Sequence, residues 1–567
     1  MTEPDALPPR PANVRRASLL LAAGTTVSRI LGFVSAAVLA WTIGLNNASA
    51  NAFAIANTLP NNILLLIAGG FLSAVLVPQI VKAGLHSDGG QRFINRLVTL
   101  GTVVFLAVTV LATLGAPLLV GVYTFADDAL DSSGTALAVV LAYWCLPQIF
   151  FYALYSLLSE VLNARGVFGP YAWAPVINNV VAIAGLLLFA ALFGVAPAHD
   201  DPAGWSTAEI ILLAGGATLG VISQAVILMV FWHRSGLRYR PDFRWRGVGL
   251  GTAGRAAGWA FGMIVINQLA GIVQVNLALT AGESDASVNA LRVTWAIFVL
   301  PHSLITVSIA TPYFTRMSGH VRDGNFAAVR ADLSTSLRTV VMLTVGAGTA
   351  LAAAALPFLR LFSGDPGELN STAFVLMAYL LGLGSFSAIY LVHRAFYALG
   401  DTRTPFLIQI IQSVLFVAGA SLIALLSPGE WVAAGIAAVT SVVGAIQAVI
   451  AALVLRRRLA VPGASLGGAR VARRFAAFAF AALPAFGAGL LVLWLLGGVE
   501  FGGPTLLAAG SGFALAGPLT AIVAVAAVGI GSLAVYVGVL AAIGLPEVRE
   551  LARQVRGLVS RRLGTRS

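Results

Sequence analysis

A few residues in this chain have types and spacings suited to holding a charged group inside an apolar setting. Arg29 lies about half way along the apolar run 17–43, in TTVSRILGF, and Arg292 lies near one end of the run 287–315, in NALRVTW. The stretch GWAFGMIVINQLAGIVQVNLALT carries Asn267, Gln268, Gln274 and Asn276. Asn267 and Gln274 are seven residues apart, two helical turns, so one amide stripe is geometrically natural. Residues 51–80, NAFAIANTLPNNILLLIAGGFLSAVLVPQI, open with Asn51, Asn57, Asn61 and Asn62 around Pro60 and then turn apolar. Arginine brings a permanent charge, and amides donate and accept hydrogen bonds without burying charge. The chemistry these residues offer is polar contact inside an apolar setting.

It is not bond-breaking chemistry. A catalytic acid or base would need carboxylates gathered at one place; the acids here are scattered and form no metal-ligand cluster. The only lysine, Lys82, lies in VKAGLH, so no GxxxxGK[ST] phosphate loop exists. The sequence predicts no enzyme and no cofactor. A single cysteine, Cys145, excludes an intramolecular disulfide.

An isolated amide in a membrane helix is glue between helices. Four in one span, with Arg29, Arg292 and the opening asparagines, point instead to a water-filled cavity, because charge at mid-membrane faces a cavity or a partner. The asparagines can satisfy backbone groups at a helix end, and Pro60 is expected to kink or restart the helix and re-aim Asn57 and Asn61. Glu160 and Arg165 are near enough for a local ion pair, and Arg360 can snorkel from a helix end.

The elements that must position these residues are membrane helices. Of 567 residues 59% are hydrophobic and 10% charged, with mean hydropathy +0.91. Runs of about 20 apolar residues recur, each long enough for a hydrocarbon core of about 30 Å. Satisfying backbone polar groups in lipid makes such runs helical, and their continuity excludes an alternating outer-membrane barrel. Fourteen spans are expected near 17–43, 52–81, 97–123, 136–162, 172–195, 207–232, 256–281, 287–315, 337–362, 372–399, 405–427, 431–455, 474–497 and 515–543. The first is too long for a signal peptide and lacks a clear cleavage site.

Loop charge tests the count. Segments before odd-numbered spans, and the tail, carry Arg15, Arg92, Arg165, Arg240, Arg322, Arg403, Arg457 and Arg549; the alternate loops carry Asp128, Asp200, Asp285, Asp365, Glu430 and Glu500. The alternation is unbroken, so both termini are expected in the cytoplasm. This topology signal accounts for nearly all of the +12 net charge and leaves no case for nucleic acid. The tail 546–567 has the composition of a basic surface helix or an unstructured segment.

An internal repeat organises the spans. YSLLSEVLNARGVFGP (155–170) and YLVHRAFYALGDTRTP (390–405) share a tyrosine and a proline at an offset of 235; Pro78 and Pro312 are offset by 234. A shift of six helices keeps orientation, which suggests two parallel six-helix lobes. The expected division is 1–16 N-terminal segment, 17–246 first lobe, 247–458 second lobe, 459–545 two extra helices and 546–567 tail. The cavity is then expected between helices one and two of the first lobe and seven and eight of the second, which supply all the polar residues above.

SRILGF, ANTLPN followed by FLSAVLVP, LPHSLITVSIATPYFTRMS and FYALGDTRTP, in that order, resemble the MurJ/MviN family of lipid II flippases, with wording closest to actinobacterial members. The resemblance covers essentially the whole chain. It implies a V of two lobes around a central cationic cavity, with the last two helices lining a groove for the lipid tail. It implies that the chain flips undecaprenyl-pyrophosphate-linked lipid II from the inner to the outer leaflet of the bacterial cytoplasmic membrane by alternating access. The partners implied are lipid II, membrane lipids and cell-wall synthesis proteins. Arg29 matches the family's arginine in span one. Elsewhere the family's charges are replaced: Ser35 and Ala36 stand where an Arg-Asp pair is common, Asn51 where an aspartate is, Leu64 and Leu65 where basic residues are, Gly69 where a glutamate is, and Ala296 where span eight carries arginine. Arg292, one turn earlier, is positioned to substitute. The competing readings are export of another polyprenyl-linked glycan or a drug, and a non-transporting scaffold for wall-synthesis or division proteins.

Overall fold

The computed structural model describes residues 11–68, 90–125, 130–165, 167, 169–244, 254–282, 285–459, 468–500, 507–550 and 553. Gly69, Pro78, Lys82 and the FLSAVLVP segment of span two, Asp128, and most of the basic tail lie outside them. The chain is a multi-pass helical membrane protein. Thirteen described helices are long and apolar enough to cross a membrane, and a bent pair, Pro366–Leu381 with Leu383–Ala398, makes a fourteenth span. Their described parts overlap the fourteen expected stretches, with residues 69–81 of the second outside the described residues. The strand content among the described residues is one two-residue ladder, Val499–Glu500 with Ala508–Ala509.

The described residues form two compact units, one up to Asn276 and one from Leu277 onward. In the first, span one (Pro11–Ile43) lies along span five (Gly169–Phe193). A Cβ on Gly24 would come within 2.7 Å of the Ala172 carbonyl oxygen, so only glycine permits the approach. One turn on, Asn179 Nδ2 donates to the Ser28 carbonyl at 2.8 Å. Span six (Thr207–Arg234) meets span five where a Cβ on Gly185 would lie 3.6 Å from the Gly216 Cα. Small residues at this spacing let helices pack by backbone contact where lipid offers no hydrophobic drive.

In the second unit, span nine (Phe326–Ala353) packs with spans thirteen (Gly468–Leu495) and fourteen (Pro518–Ala542). The Tyr536 hydroxyl donates to the Met342 carbonyl at 3.0 Å. Its ring lies against Gly346, where a Cβ would meet it at 2.8 Å. At the basic-loop end of the three helices, buried Glu547 accepts from Arg338 at 3.2 Å and lies 3.7 Å from Arg474.

Spans four and ten are each interrupted. Span four consists of Ser132–Cys145 and Gln148–Ala164, broken at Pro147, which has no N–H to give. Span ten breaks at Gly382 with a 41° bend. Pro147 and Gly382 are 235 residues apart, the offset of the sequence repeat. Each break frees carbonyls, and each is patched by a hydroxyl from the sixth helix of its own repeat. Thr218 Oγ1 donates to the Trp144 carbonyl at 2.7 Å and accepts from Gln148 Nε2 at 2.9 Å. Ser441 Oγ lies 2.6 Å from the Ala378 carbonyl and 3.1 Å from that of Tyr379. Trp144 and Tyr379 are again 235 apart.

Candidate functional site

Nine of the ten candidate residues belong to the first unit: Arg29, Ser35, Asn51, Asn57, Pro60, Asn61, Asn267, Gln268 and Gln274. On span one, Ser28 faces span five; Ser35, two turns on, shares that side and is half-buried. Arg29 is about a quarter-turn round from Ser28. It is exposed and forms no hydrogen bond or ion pair with any described residue. A planar five-donor cation thus stands in the middle of a membrane span with no partner among the described residues, where it is costly unless something anionic or aqueous meets it.

Span two starts under a clamp. Asn47 caps it by accepting from the Ala50 N–H at 2.7 Å, while its Nδ2 donates to Ile43 O at 2.8 Å and to Asp200 Oδ1 at 2.7 Å. Trp205 Nε1 donates to Ser49 Oγ at 3.0 Å, and His199 sits 3.3 Å from Glu209. The loop between spans five and six therefore holds the start of span two. Burial raises the Asp200 carboxyl above its ordinary range, against the lowering effect of the Asn47 hydrogen bond.

The amides of the opening stretch divide. Asn51 is buried. Asn57 accepts from Gln148 Nε2 at 3.5 Å, beside Cys145, at the break in span four. Asn62 donates to the Tyr123 hydroxyl at 3.0 Å. Asn61 is exposed and unbonded among the described residues. The helix runs unbroken from Ala48 to Ala68 through buried Pro60, so Pro60 does not restart it. In span seven (Gly254–Ala278), Asn267 is exposed and Gln274 half-buried. Gln268 Nε2 is buried with no partner among the described residues. Asn276 is a fastener: its Nδ2 donates to Val122 O at 3.1 Å and its Oδ1 accepts from the Phe125 N–H at 2.7 Å.

In the second unit, Arg292 is partly buried and closes on its own helix, with Nε 3.3 Å and Nη2 3.0 Å from Asn289 Oδ1. Ala296 is exposed one turn away. Sequence reasoning passed over two residues here. Arg394, in the quoted YLVHRAFYALG segment, donates to the Tyr390 hydroxyl at 2.7 Å and stacks 5.2 Å from the Phe314 ring. His302 is buried in a π-helical turn, His302–Thr306, with Nδ1 3.1 Å from Ser387 Oγ and its ring 4.7 Å from Phe386. The signal for both was an ionisable residue inside an apolar run.

The second unit also contains a groove of about 1310 Å³, walled by spans nine and thirteen on one side and ten and twelve on the other. Phe374, Trp431, Phe475 and Phe486 lie along it, and Arg330 and Arg456 line its basic-loop end. Span thirteen contributes to the lining and span fourteen does not.

Among solved structures, a lipid II flippase MurJ in an inward closed conformation superposes with a TM-score of 0.68 at 20% identity, over 91% of this chain and 98% of its own. An inward-facing MATE-family multidrug transporter of the MOP superfamily gives 0.60 at 15%, over 78% of this chain and 98% of its own. The fold is that of this class of polytopic transporter. The family model for lipid II flippase MurJ matches residues 39–501. A probable lipid II flippase MurJ of Haemophilus influenzae is 31% identical over 412 residues, 69% of this chain and 77% of the relative. Another, of Rhizobium meliloti, is 27% identical over 442 residues, 75% of this chain and 77% of the relative. The chain belongs to the MurJ family.

Proposed function

We propose that this protein flips lipid II, the undecaprenyl-pyrophosphate-linked peptidoglycan precursor, across the bacterial cytoplasmic membrane by alternating access. Its termini and arginine-rich loops face the cytoplasm. The observation that carries the reading is the Arg29 guanidinium at mid-span, without a partner among the described residues. A pyrophosphate offers the charge and the paired acceptor oxygens that a guanidinium fork matches. Asn61, Asn267 and Gln268, whose Nε2 has no partner among the described residues, supply neutral hydrogen bonds for a sugar-peptide head group. The groove in the second unit takes the polyprenyl tail. The protein catalyses no bond change and needs no resident cofactor; wall-synthesis enzymes supply and consume the lipid. The replaced family charges at Ser35, Ala36, Leu64 and Leu65 favour one second reading, a carrier for a polyprenyl glycan with a different head group. Complementation of a bacterium depleted of its own lipid II flippase tests the choice. Growth and normal cell shape on expression of this chain are expected; lysis at wild-type protein levels contradicts lipid II as the cargo.

A further inference from the structure

The groove has a polar end that tail binding alone does not require. Trp431 and Arg456 both line it, and both belong to one continuous helix, Gly429–Arg458. Twenty-five residues of helix span about 37 Å, more than the hydrocarbon core of about 30 Å. The groove is therefore lined over a length that matches both leaflets. The chains of a diacyl phospholipid reach about half that depth. A single long polyisoprenoid matches that length.

Arg330 and Arg456 both line the basic-loop end. Neither is paired with a carboxylate among the described residues. Arg330 uses Nη1 to hold the Leu459 carbonyl at 2.8 Å, which fixes the guanidinium and leaves its other N–H groups available. The neighbouring acids are committed elsewhere: Asp332 to Arg316 at 2.6 Å and His320 at 3.4 Å, and Asp401 to Arg458 at 3.6 Å. Two guanidinium groups without a carboxylate partner among the described residues thus line one end of an apolar channel of polyprenyl length.

We propose that Arg330 and Arg456 form a loading site for the diphosphate of a polyprenyl-diphosphate lipid whose chain lies in the groove, separate from the head-group residues of spans one, two and seven. The inference rests on the flippase reading for its direction: with the basic loops cytoplasmic, this end of the groove opens at the leaflet where the substrate is made. The two guanidinium groups capture the lipid by its charge before the head group moves to the Arg29 region.

The full-length protein, purified into nanodiscs, is titrated with undecaprenyl diphosphate, undecaprenol and dioleoyl phosphatidylglycerol, with bound lipid counted by native mass spectrometry. The wild type is expected to bind the diphosphate more tightly than the alcohol. Arg330→Ala and Arg456→Ala should each weaken diphosphate binding roughly tenfold and leave undecaprenol binding unchanged, which also reports an intact fold. Arg330→Lys should recover part of the loss. Ala438→Trp, which fills the groove, should weaken both polyprenyl lipids. Equal diphosphate binding by the wild type and the double alanine variant overturns the site. Displacement by phosphatidylglycerol as effective as by the diphosphate overturns the occupant. Lipid II translocation in proteoliposomes separates the two claims. Absent translocation with arginine-dependent diphosphate binding refutes the flippase reading and leaves the site; translocation with arginine-independent binding does the reverse.

Discussion

Asn57 and Asn276 read in the sequence as polar groups of one cavity; in the structure Asn276 holds helices together, while Asn57 lies at the edge of hydrogen-bond distance from Gln148. Asn57 meets Gln148 at the break in span four, and Asn276 fastens the end of span seven to Val122 and Phe125. Amide type and spacing cannot separate a fastener from a ligand contact, because the partner lies 91 residues away in one case and 154 in the other. Arg29 differs: its mid-span position was legible, and its lack of a described partner is what separates it from the amides. Asn276→Ala should therefore act on stability rather than on cargo. It strands the Phe125 N–H and the Val122 carbonyl at a cost of about 1–3 kcal/mol. The check is thermal unfolding in detergent, with the substrate affinity of the folded fraction unchanged. A folded, equally stable variant with weakened substrate binding contradicts the assignment.

The fourteen spans were legible because hydropathy and loop charge are local properties that every span declares for itself. The interruption at Gly382 was not, since glycine is common throughout this chain and only the approach of Ser441 gives it meaning. A Cβ at Gly382 would lie 2.6 Å from Ser441 Oγ and 2.8 Å from its Cα. Gly382→Ala is expected to cost about 1–3 kcal/mol through forced displacement of span twelve. Ser441→Ala and Thr218→Val, which leave freed carbonyls unpatched, should cost about 1–2 kcal/mol each. Combining Gly382→Ala with Ser441→Gly removes the hydroxymethyl part of the clash and leaves the backbone part, so the pair should couple partially rather than add. Strict additivity in unfolding measurements places the strain elsewhere. The matched breaks at Pro147 and Gly382, each tied to the sixth helix of its repeat, also strengthen a duplication that the sequence expressed in only a few shared residues.

At the scale of the molecule, the repeat predicts lobes of helices one to six and seven to twelve, while compactness groups span seven with the first unit. Neither the loop charges nor the hydropathy carries that information, because it depends on which long-range contacts form; the groove was likewise visible only once spans nine, ten, twelve and thirteen were assembled. Topology follows from the loop charges. In a Cys145→Ser background, cysteines at exposed Ala203 and Gly367 should react with an impermeant maleimide from outside. Cysteines at exposed Arg240 and Arg457 should react only after the membrane is opened. External labelling at Arg240 overturns the orientation and with it the cytoplasmic mouth of the groove.

Arg29 carries the central claim. Purified wild-type, Arg29→Lys and Arg29→Ala proteins, matched for folded amount, are reconstituted into proteoliposomes and lipid II translocation is followed by its accessibility to an external probe. Lysine keeps the charge and loses the planar fork. The expected order is full translocation for the wild type, impaired for lysine and lost for alanine, with all three equally abundant and folded. Translocation by a well-folded Arg29→Ala protein at the wild-type rate contradicts the account.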